Sequence, residues 1–336
     1  MSRKATLRAA VLGMGFIGEL HRHALADCPG VQVVAVNDCR PEVLAHYSGL
    51  ATYTSYQELL KREKPVLVSV CLPTYLHAEA TIAALDAGAN VLLEKPIATT
   101  LKDADAIVQR SARGPGLVMV GMTHHFYPET VQAHQWMSEG RIGRPLLCRD
   151  YAAFSNTGLP GWYGQPELAG GGIVITNGVH LVDRLCWLLN SSVVEVSGCV
   201  LRVDPAFQVE DNAIGQFRFA NGALGQALLS WLPQNPNTAT LEIYGTQGRL
   251  VVHSWQGASL EQAGKTIEQA RYYQPGLSLA EVTLVGLRPE VQAFVDCVRR
   301  HSTPPITAQT ARDTLAVLLA WYQAAKEQTT VQLRSR

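Results

Sequence analysis

From Leu7 to about Gly121 short apolar runs alternate with amphipathic stretches. The runs Leu7–Leu12, Val31–Val36, Val66–Leu72, Val91–Leu93 and Leu117–Val120 predict strands covered on both faces, because they show little polar alternation. Between them Pro41–Tyr47, Tyr56–Arg62 and His77–Ala87 predict crossover helices, and Thr100 with Asp103 predicts a capping box for a helix through Val108. Strand, helix and strand in that rhythm give a parallel sheet with right-handed crossovers. After Phe126 the texture changes. A helix ending near Gly140 precedes a loop of glycine, proline and aromatic residues from Ser155 to Gly172, and a further helix runs from about Val174 to Leu189. Val193–Val203, Ala213–Phe219, Ala223–Ser230, Thr240–Tyr244 and Arg249–His253 then read as strands separated by turn signals such as Asn221-Gly222, which predicts an antiparallel sheet. Two helices, Pro289–Arg300 and Thr307–Lys326, close the chain. The change of texture divides it into domains 1–123 and 124–336.

A length of 336 residues suits two such domains. Lys plus Arg equal Asp plus Glu at 28 each, so the chain lacks the basic footprint of a nucleic-acid binder, and small molecules are the expected partners. The seven cysteines are scattered without disulfide or zinc spacing, which predicts a reducing compartment and no metal. No long apolar stretch and no leader-like segment is visible, so the expected location is the cytoplasm, with no membrane partner.

Three features carry chemistry. Gly13-Met14-Gly15-Phe16-Ile17-Gly18 follows the first strand and opens a helix. There Gly13 permits a tight turn, Gly15 lets backbone approach a pyrophosphate, Gly18 allows close helix packing, and the helix N-terminus offers N–H groups to the anion. Asp38, at the end of the next strand, is placed to bind an adenosine ribose and favours NAD; Arg40 keeps NADP open, since a guanidinium there accommodates a 2′-phosphate. Leu72-Pro73-Thr74 with His77, and Glu94-Lys95-Pro96, follow two further strands, where an open parallel sheet gathers its ligands. The Lys95 ammonium is suited to polarising a hydroxyl or stabilising an alkoxide. Finally, Gly170-Gly171-Gly172 precedes Thr176, Asn177, His180 and Asp183; on a helix Thr176, His180 and Asp183 share one stripe, with Asp183 as an orienting or packing partner.

In this order, together with the late Glu242-Ile243-Tyr244-Gly245-Thr246-Gln247-Gly248 strand and turn, these motifs resemble the glucose-fructose oxidoreductase, inositol dehydrogenase and rhizopine catabolism family over nearly the whole chain. The resemblance implies an N-terminal Rossmann domain with a parallel sheet and a C-terminal α/β domain with a large, mainly antiparallel open sheet. It also implies NAD or NADP as redox partner and sugars, cyclitols or related polyols as substrates, with Lys95 at the catalytic lysine and His180 at the catalytic histidine. Two departures stand out. Thr176 replaces an Asp that many relatives carry one turn before the histidine. Gly121-Met-Thr-His-His-Phe-Tyr127 replaces a segment that often holds an Arg, bringing His124 and His125 to the nicotinamide end.

The expected reaction is reversible hydride transfer between a carbinol carbon and nicotinamide C4. His180 is the expected base on intrinsic pKa and Lys95 the group that orients the hydroxyl, with the reverse assignment open. Thr176, Asn177 and His124 are expected to contact substrate, and Trp162 and Tyr163 to wall its pocket. Two alternatives stay open at this point: a sugar-sensing regulator without turnover, and a glycosidase that uses NAD through transient oxidation. An antiparallel sheet with helices on one face also predicts a homodimer or homotetramer through the other.

Overall fold

The computed structural model describes residues 6–274 and 276–333. Met1–Ala5, part of the N-terminal reading above, lie outside the described residues. The chain divides into two compact units. One runs to Thr123 and takes back Ser278–Arg312; the other comprises His124–Leu277 and the residues from Asp313 on.

The first unit holds a six-stranded sheet of β1 (Leu7–Leu12), β2 (Val31–Asn37), β3 (Ala51–Tyr53), β4 (Leu67–Val70), β5 (Asn90–Glu94) and β6 (Val118–Gly121) in the order β3-β2-β1-β4-β5-β6, parallel throughout. Its central strands are buried on both sides, as their unbroken apolar runs require. The helices between them are α1 (Phe16–Asp27), α2 (Pro41–Leu44), α3 (Tyr56–Glu63), α4 (His77–Asp86) and α5 (Leu101–Ser111). Thr100 caps α5 by accepting from the Asp103 amide, as its sequence predicts. The strand order reverses between β1 and β4, so the carboxyl ends of β1, β4 and β5 lie side by side at the switch point where such sheets bind ligands.

The second unit begins with α6 (Pro128–Ser138) and β7 (Pro145–Phe154), continues through α7 (Pro166–Ala169), a π-turn at Val174–Gly178 and α8 (Val179–Leu188), and then enters the sheet proper. Strands β8 (Val193–Leu201), β9 (Asn212–Phe219), β10 (Leu224–Trp231), β11 (Thr238–Gly245), β12 (Arg249–His253), β13 (Gly257–Gln262), β14 (Lys265–Arg271) and β15 (Val331–Gln332) join β7 in the order β14-β13-β12-β11-β7-β10-β9-β8-β15. All pairs are antiparallel except β7 with β10. One face lies under helices: α6 on β12 and β13, and α8 on β7. The other carries Leu147, Leu224, Ile214 and Tyr151, all exposed.

Three parts of the sequence reading are corrected. Domain 124–336 is not continuous, because Ser278–Arg312 belongs to the first unit. Its helix α9 (Leu279–Arg300) packs on α1, where Arg288 pairs with Asp27 at 2.9 Å and Arg299 donates to the Pro29 carbonyl at 2.6 Å. The Val120 amide then bonds the Ile306 carbonyl beside β6. Second, α9 starts well before Pro289. Ser278 and Glu281 form a full capping box, and the proline inside the helix costs one N–H bond without ending it. Third, β3, β7, β13, β14 and β15 were not legible. β7 carries Arg149 and Asp150 in mid-strand, which breaks the apolar pattern, and nearly every residue of the edge strand β14 is exposed. The last helix, α10 (Ala308–Glu327), lies close to its predicted place.

Asp150 explains its own interruption. It is sealed from water and takes a bidentate pair from Arg184 of α8, with Nη2–Oδ1 at 2.5 Å and Nε–Oδ2 at 2.9 Å, while Arg184 Nη1 reaches Ser254 Oγ at 3.3 Å. Removing one partner strands the other charge, so Asp150→Ala is expected to destabilise the protein by about 3–5 kcal/mol, whereas Asp150→Leu combined with Arg184→Met costs much less. Calorimetric unfolding of the three proteins checks this; equal losses in the single and double variants would contradict it.

Candidate active site

In the first unit β1 delivers the chain to Gly13, whose φ of +88° no β-carbon tolerates easily, and where a side chain would press the Cys71 carbonyl at 2.5 Å. A side chain on Gly18 would strike the Gly13 carbonyl at 1.8 Å. Both glycines are thus explained by the turn itself. Gly15 is not: its φ is −77°, and a β-carbon there would meet nothing within 4 Å. The bare backbone beside open space at the start of α1 fits a pyrophosphate, to which Met14, Phe16 and Ile17 add neighbouring main chain.

Asp38 closes the other side of that turn. Its Oδ2 accepts from the Met14 amide at 3.0 Å, and its two oxygens take Nε and Nη2 of Arg40 at 2.8 and 2.9 Å. Burial opposes the charge, but the bonds from Arg40 and the Met14 amide outweigh it and hold the carboxyl below its usual range. Arg40 is therefore folded back onto Asp38, which presents an anion where an adenosine ribose would lie and suits NAD.

The next two strand ends are tied together by His77. Its ring nitrogens lie 2.8 Å from the Leu72 and Pro96 carbonyls, and the residue is 1% exposed. The His77 ring serves as a clip between the loop Leu72–Thr74 and the cis Lys95-Pro96 peptide. The Glu94 side chain also turns away from the strand ends. Its carboxylate is buried and turned inward, with Oε1 3.0 Å from His21 Nε2 and Oε2 accepting from the Lys95 amide at 3.1 Å. His21 Nδ1 lies 3.0 Å from Ser69 Oγ, so one neutral tautomer satisfies the whole chain, from the serine hydroxyl through the ring to the carboxylate. Burial alone would push the Glu94 carboxyl up; the His21 bond prevails and holds it low. Lys95 is half-buried above this anion. Burial draws its ammonium below the usual lysine range, and Glu94 pulls the other way.

In the second unit the His180 and His124 rings stack with centroids 4.3 Å apart and planes 9° from parallel. Asp183, three residues after His180, takes His125 Nε2 at 2.5 Å. Thr176 lies in the π-turn, so the expected regular helical stripe is broken there. Its hydroxyl turns back to the Gly172 carbonyl at 2.8 Å. Asn177 follows it, half-buried. The Trp162 and Tyr163 rings lie 4.1 Å apart, tilted by 40°, with Tyr163 beside Trp231.

The last glycine of the triplet, Gly172, has a cause that its sequence does not disclose. Glu210, a buried residue ahead of β9, accepts from the Gly172 and Val174 amides at 3.0 Å each and from the Tyr322 hydroxyl at 2.6 Å. A side chain on Gly172 would fall 1.9 Å from the Glu210 carbonyl. The carboxylate thus binds the free amides where the segment leading to His180 begins. Glu210, Tyr322, His21 and Ser69 were missed because none stands in a recognisable spacing with its partner. The one available signal was that buried stretches contained polar residues. Among the described residues no cluster of three or more His, Cys, Asp or Glu side chains is arranged to hold a metal, and no helix is long and apolar enough to cross a membrane.

Comparison with known proteins agrees with this geometry. Residues 7–122 match the model of an oxidoreductase family with an NAD-binding Rossmann fold, and residues 130–251 match the GFO/IDH/MocA C-terminal domain. The chain is 31% identical over 278 residues to the 1,5-anhydro-D-fructose reductase of Ensifer adhaerens, covering 81% of each protein. It is 25% identical over 341 residues to the scyllo-inositol 2-dehydrogenase (NAD(+)) of Bacillus subtilis (strain 168), covering 97% of this chain and 96% of that one. Its fold is similar to the crystal structure of myo-inositol 2-dehydrogenase from Lactobacillus plantarum, with a TM-score of 0.86 at 23% identity over 98% of this chain and all of the other. With the glycine turn in place and both domains matched, the chain belongs to the GFO/IDH/MocA family of NAD-dependent oxidoreductases.

Proposed function

We propose that this protein catalyses reversible hydride transfer between NAD and a secondary hydroxyl or carbonyl of a sugar, cyclitol or related polyol, with Lys95 and His180 as its catalytic residues. The observation that carries the reading is Lys95 at the carboxyl end of β5, next to a buried anion and one strand removed from β1, which leads into the glycine turn. The named activities of the relatives, on anhydrofructose and inositols, support the substrate class. When bound, NAD supplies the hydride acceptor at nicotinamide C4. Alcohol oxidation also releases a proton, which His180 accepts, while the Lys95 ammonium orients the hydroxyl and stabilises the charge that develops on its oxygen. His124, Thr176, Asn177, Trp162 and Tyr163 are assigned to the substrate side, and residues 13–18, Asp38 and the main chain of Leu72–Thr74 to the cofactor.

We also propose a homodimer or homotetramer built through the open sheet face. Leu147 pairs in register with Leu224, and Tyr151 with Leu228, which in turn pairs with Ile214, so these side chains share one side of the sheet. Leu147, Leu224 and Ile214 are 52%, 42% and 38% exposed. Together they form an apolar area suited to burial against a second copy. The proposed setting is the cytoplasm, where the seven free cysteines stay reduced.

Growth of NADH absorbance across a panel of sugars, cyclitols and sugar acids identifies the substrate class. On the best substrate, Lys95→Ala and His180→Ala are each expected to lower turnover by roughly 10²–10⁴-fold with NADH affinity unchanged; near-normal rates in either variant remove that residue from the mechanism. Glu94→Gln takes away the charge that raises the Lys95 pKa, so the alkaline limb of the pH–rate profile should move to lower pH, and an unmoved limb would mean that Lys95 does not titrate there.

For the cofactor, like-charge repulsion between Asp38 and a 2′-phosphate costs several kcal/mol, giving a preference for NAD over NADP on the order of 10²-fold that Asp38→Ser largely removes. Dissociation constants of both dinucleotides for both proteins check it; a preference for NADP in the unaltered protein would defeat it. For assembly, Leu147→Glu with Leu224→Glu is expected to yield monomers in sedimentation, and a monomeric parent protein at micromolar concentration would rule the interface out.

A further inference from the structure

Two consecutive histidines touch one helix at two points. His124 lies against His180 with ring centroids 4.3 Å apart, and His125 Nε2 lies 2.5 Å from Asp183 Oδ2. His180 and Asp183 are three apart on α8 and therefore share a face. The His125 and Asp183 side chains are 9% and 3% exposed, so solvent competes little with their bond. His125 is fixed a second time by Trp187, one turn beyond Asp183, stacked on it at 4.1 Å; Trp187 is stacked in turn on His134 of α6 at 4.1 Å. The rings His125, Trp187 and His134 thus form one column that holds the turn carrying His124.

An imidazole that moves a proton needs a fixed plane and tautomer, and a neighbouring carboxylate commonly supplies both. Here residue 176 is a threonine whose hydroxyl bonds the Gly172 carbonyl, and the carboxylate one turn after His180 is engaged by His125. On the reading that His180 is the proton acceptor, we infer that His125 and Asp183 are its positioning pair, acting through His124: their bond sets where His124 sits along α8, and the stacked His124 ring sets the plane of His180. The carboxylate works at one remove, through a second imidazole.

The test is nuclear magnetic resonance of the ¹⁵N-histidine-labelled full chain, which needs no substrate, together with turnover on the polyol identified above. In the unaltered protein His180 should show a single tautomer and ring protons shifted by the stacked His124, and His125 a downfield Nε2 proton. Asp183→Ala and His125→Phe should remove the downfield proton, mix the His180 tautomers and lower kcat by about 10–100-fold, the usual effect of losing a group that orients a functional histidine. The NADH dissociation constant should not change. Asp183→Asn, which keeps an acceptor for His125, should restore the His180 spectrum and most of kcat. His125→Phe preserves stacking on Trp187 and guards against a folding defect at Asp183, which neighbours the buried Arg184. An unchanged His180 spectrum in folded His125→Phe would overturn the inference. Full turnover in His180→Asn, with the His124 and His125 signals intact, would instead overturn the reading on which it rests.

Discussion

The helix that carries His180 is held to its sheet by a charge pair sealed from water. Arg184 of α8 and Asp150 of β7 make a bidentate bond in the apolar layer between helix and sheet, where an unpaired charge would cost several kcal/mol. Such a pair adds little to net stability compared with a well-packed apolar substitute. It specifies orientation, because a guanidinium fork meets a carboxylate in only a few geometries. Fixing Arg184 fixes the rotation of α8, and with it the directions in which His180, Asp183 and Trp187 leave the helix.

Other buried carboxylates serve similar ends. Glu210 binds the amides at the start of the segment that leads into α8 and takes the Tyr322 hydroxyl, so both the beginning and the middle of this stretch are anchored by anions. In the first unit Glu94 links His21, on the helix after the glycine turn, to the main chain of Lys95. Each of these carboxylates accepts more than one hydrogen bond, which compensates for its removal from water. The exposed residues of the motifs are thereby left for ligands, while the polar residues beneath them hold the backbone in place.

The chemistry follows from this division. A lysine whose ammonium is weakened by burial and supported by a nearby anion is suited to stabilising charge that appears only during reaction. A histidine stacked on another histidine, with the next carboxylate on its helix engaged by a third, differs from the arrangement that its family resemblance implied. The threonine at 176 was visible in the sequence. The bond between His125 and Asp183 was not.

The amino-acid sequence determined five of the six strands of the nucleotide-binding unit and the helices between them, the glycine turn, Asp38, and the positions of Lys95 and His180, because these rest on local periodicity and on turn chemistry confined to a few neighbouring residues. It also determined most strands of the second sheet, where apolar and polar residues alternate. Tertiary structure alone decided the rest. Strand β7 was hidden by Asp150, whose partner Arg184 lies on a later helix. The return of Ser278–Arg312 to the first unit rests on contacts with α1 and β6, more than 150 residues earlier in the chain. Glu94 and His77 stood in motifs that point to a cofactor, yet their side chains turned inward to His21 and to two carbonyls. A buried polar group must find a partner wherever the fold provides one, and no spacing along the sequence records which partner that is.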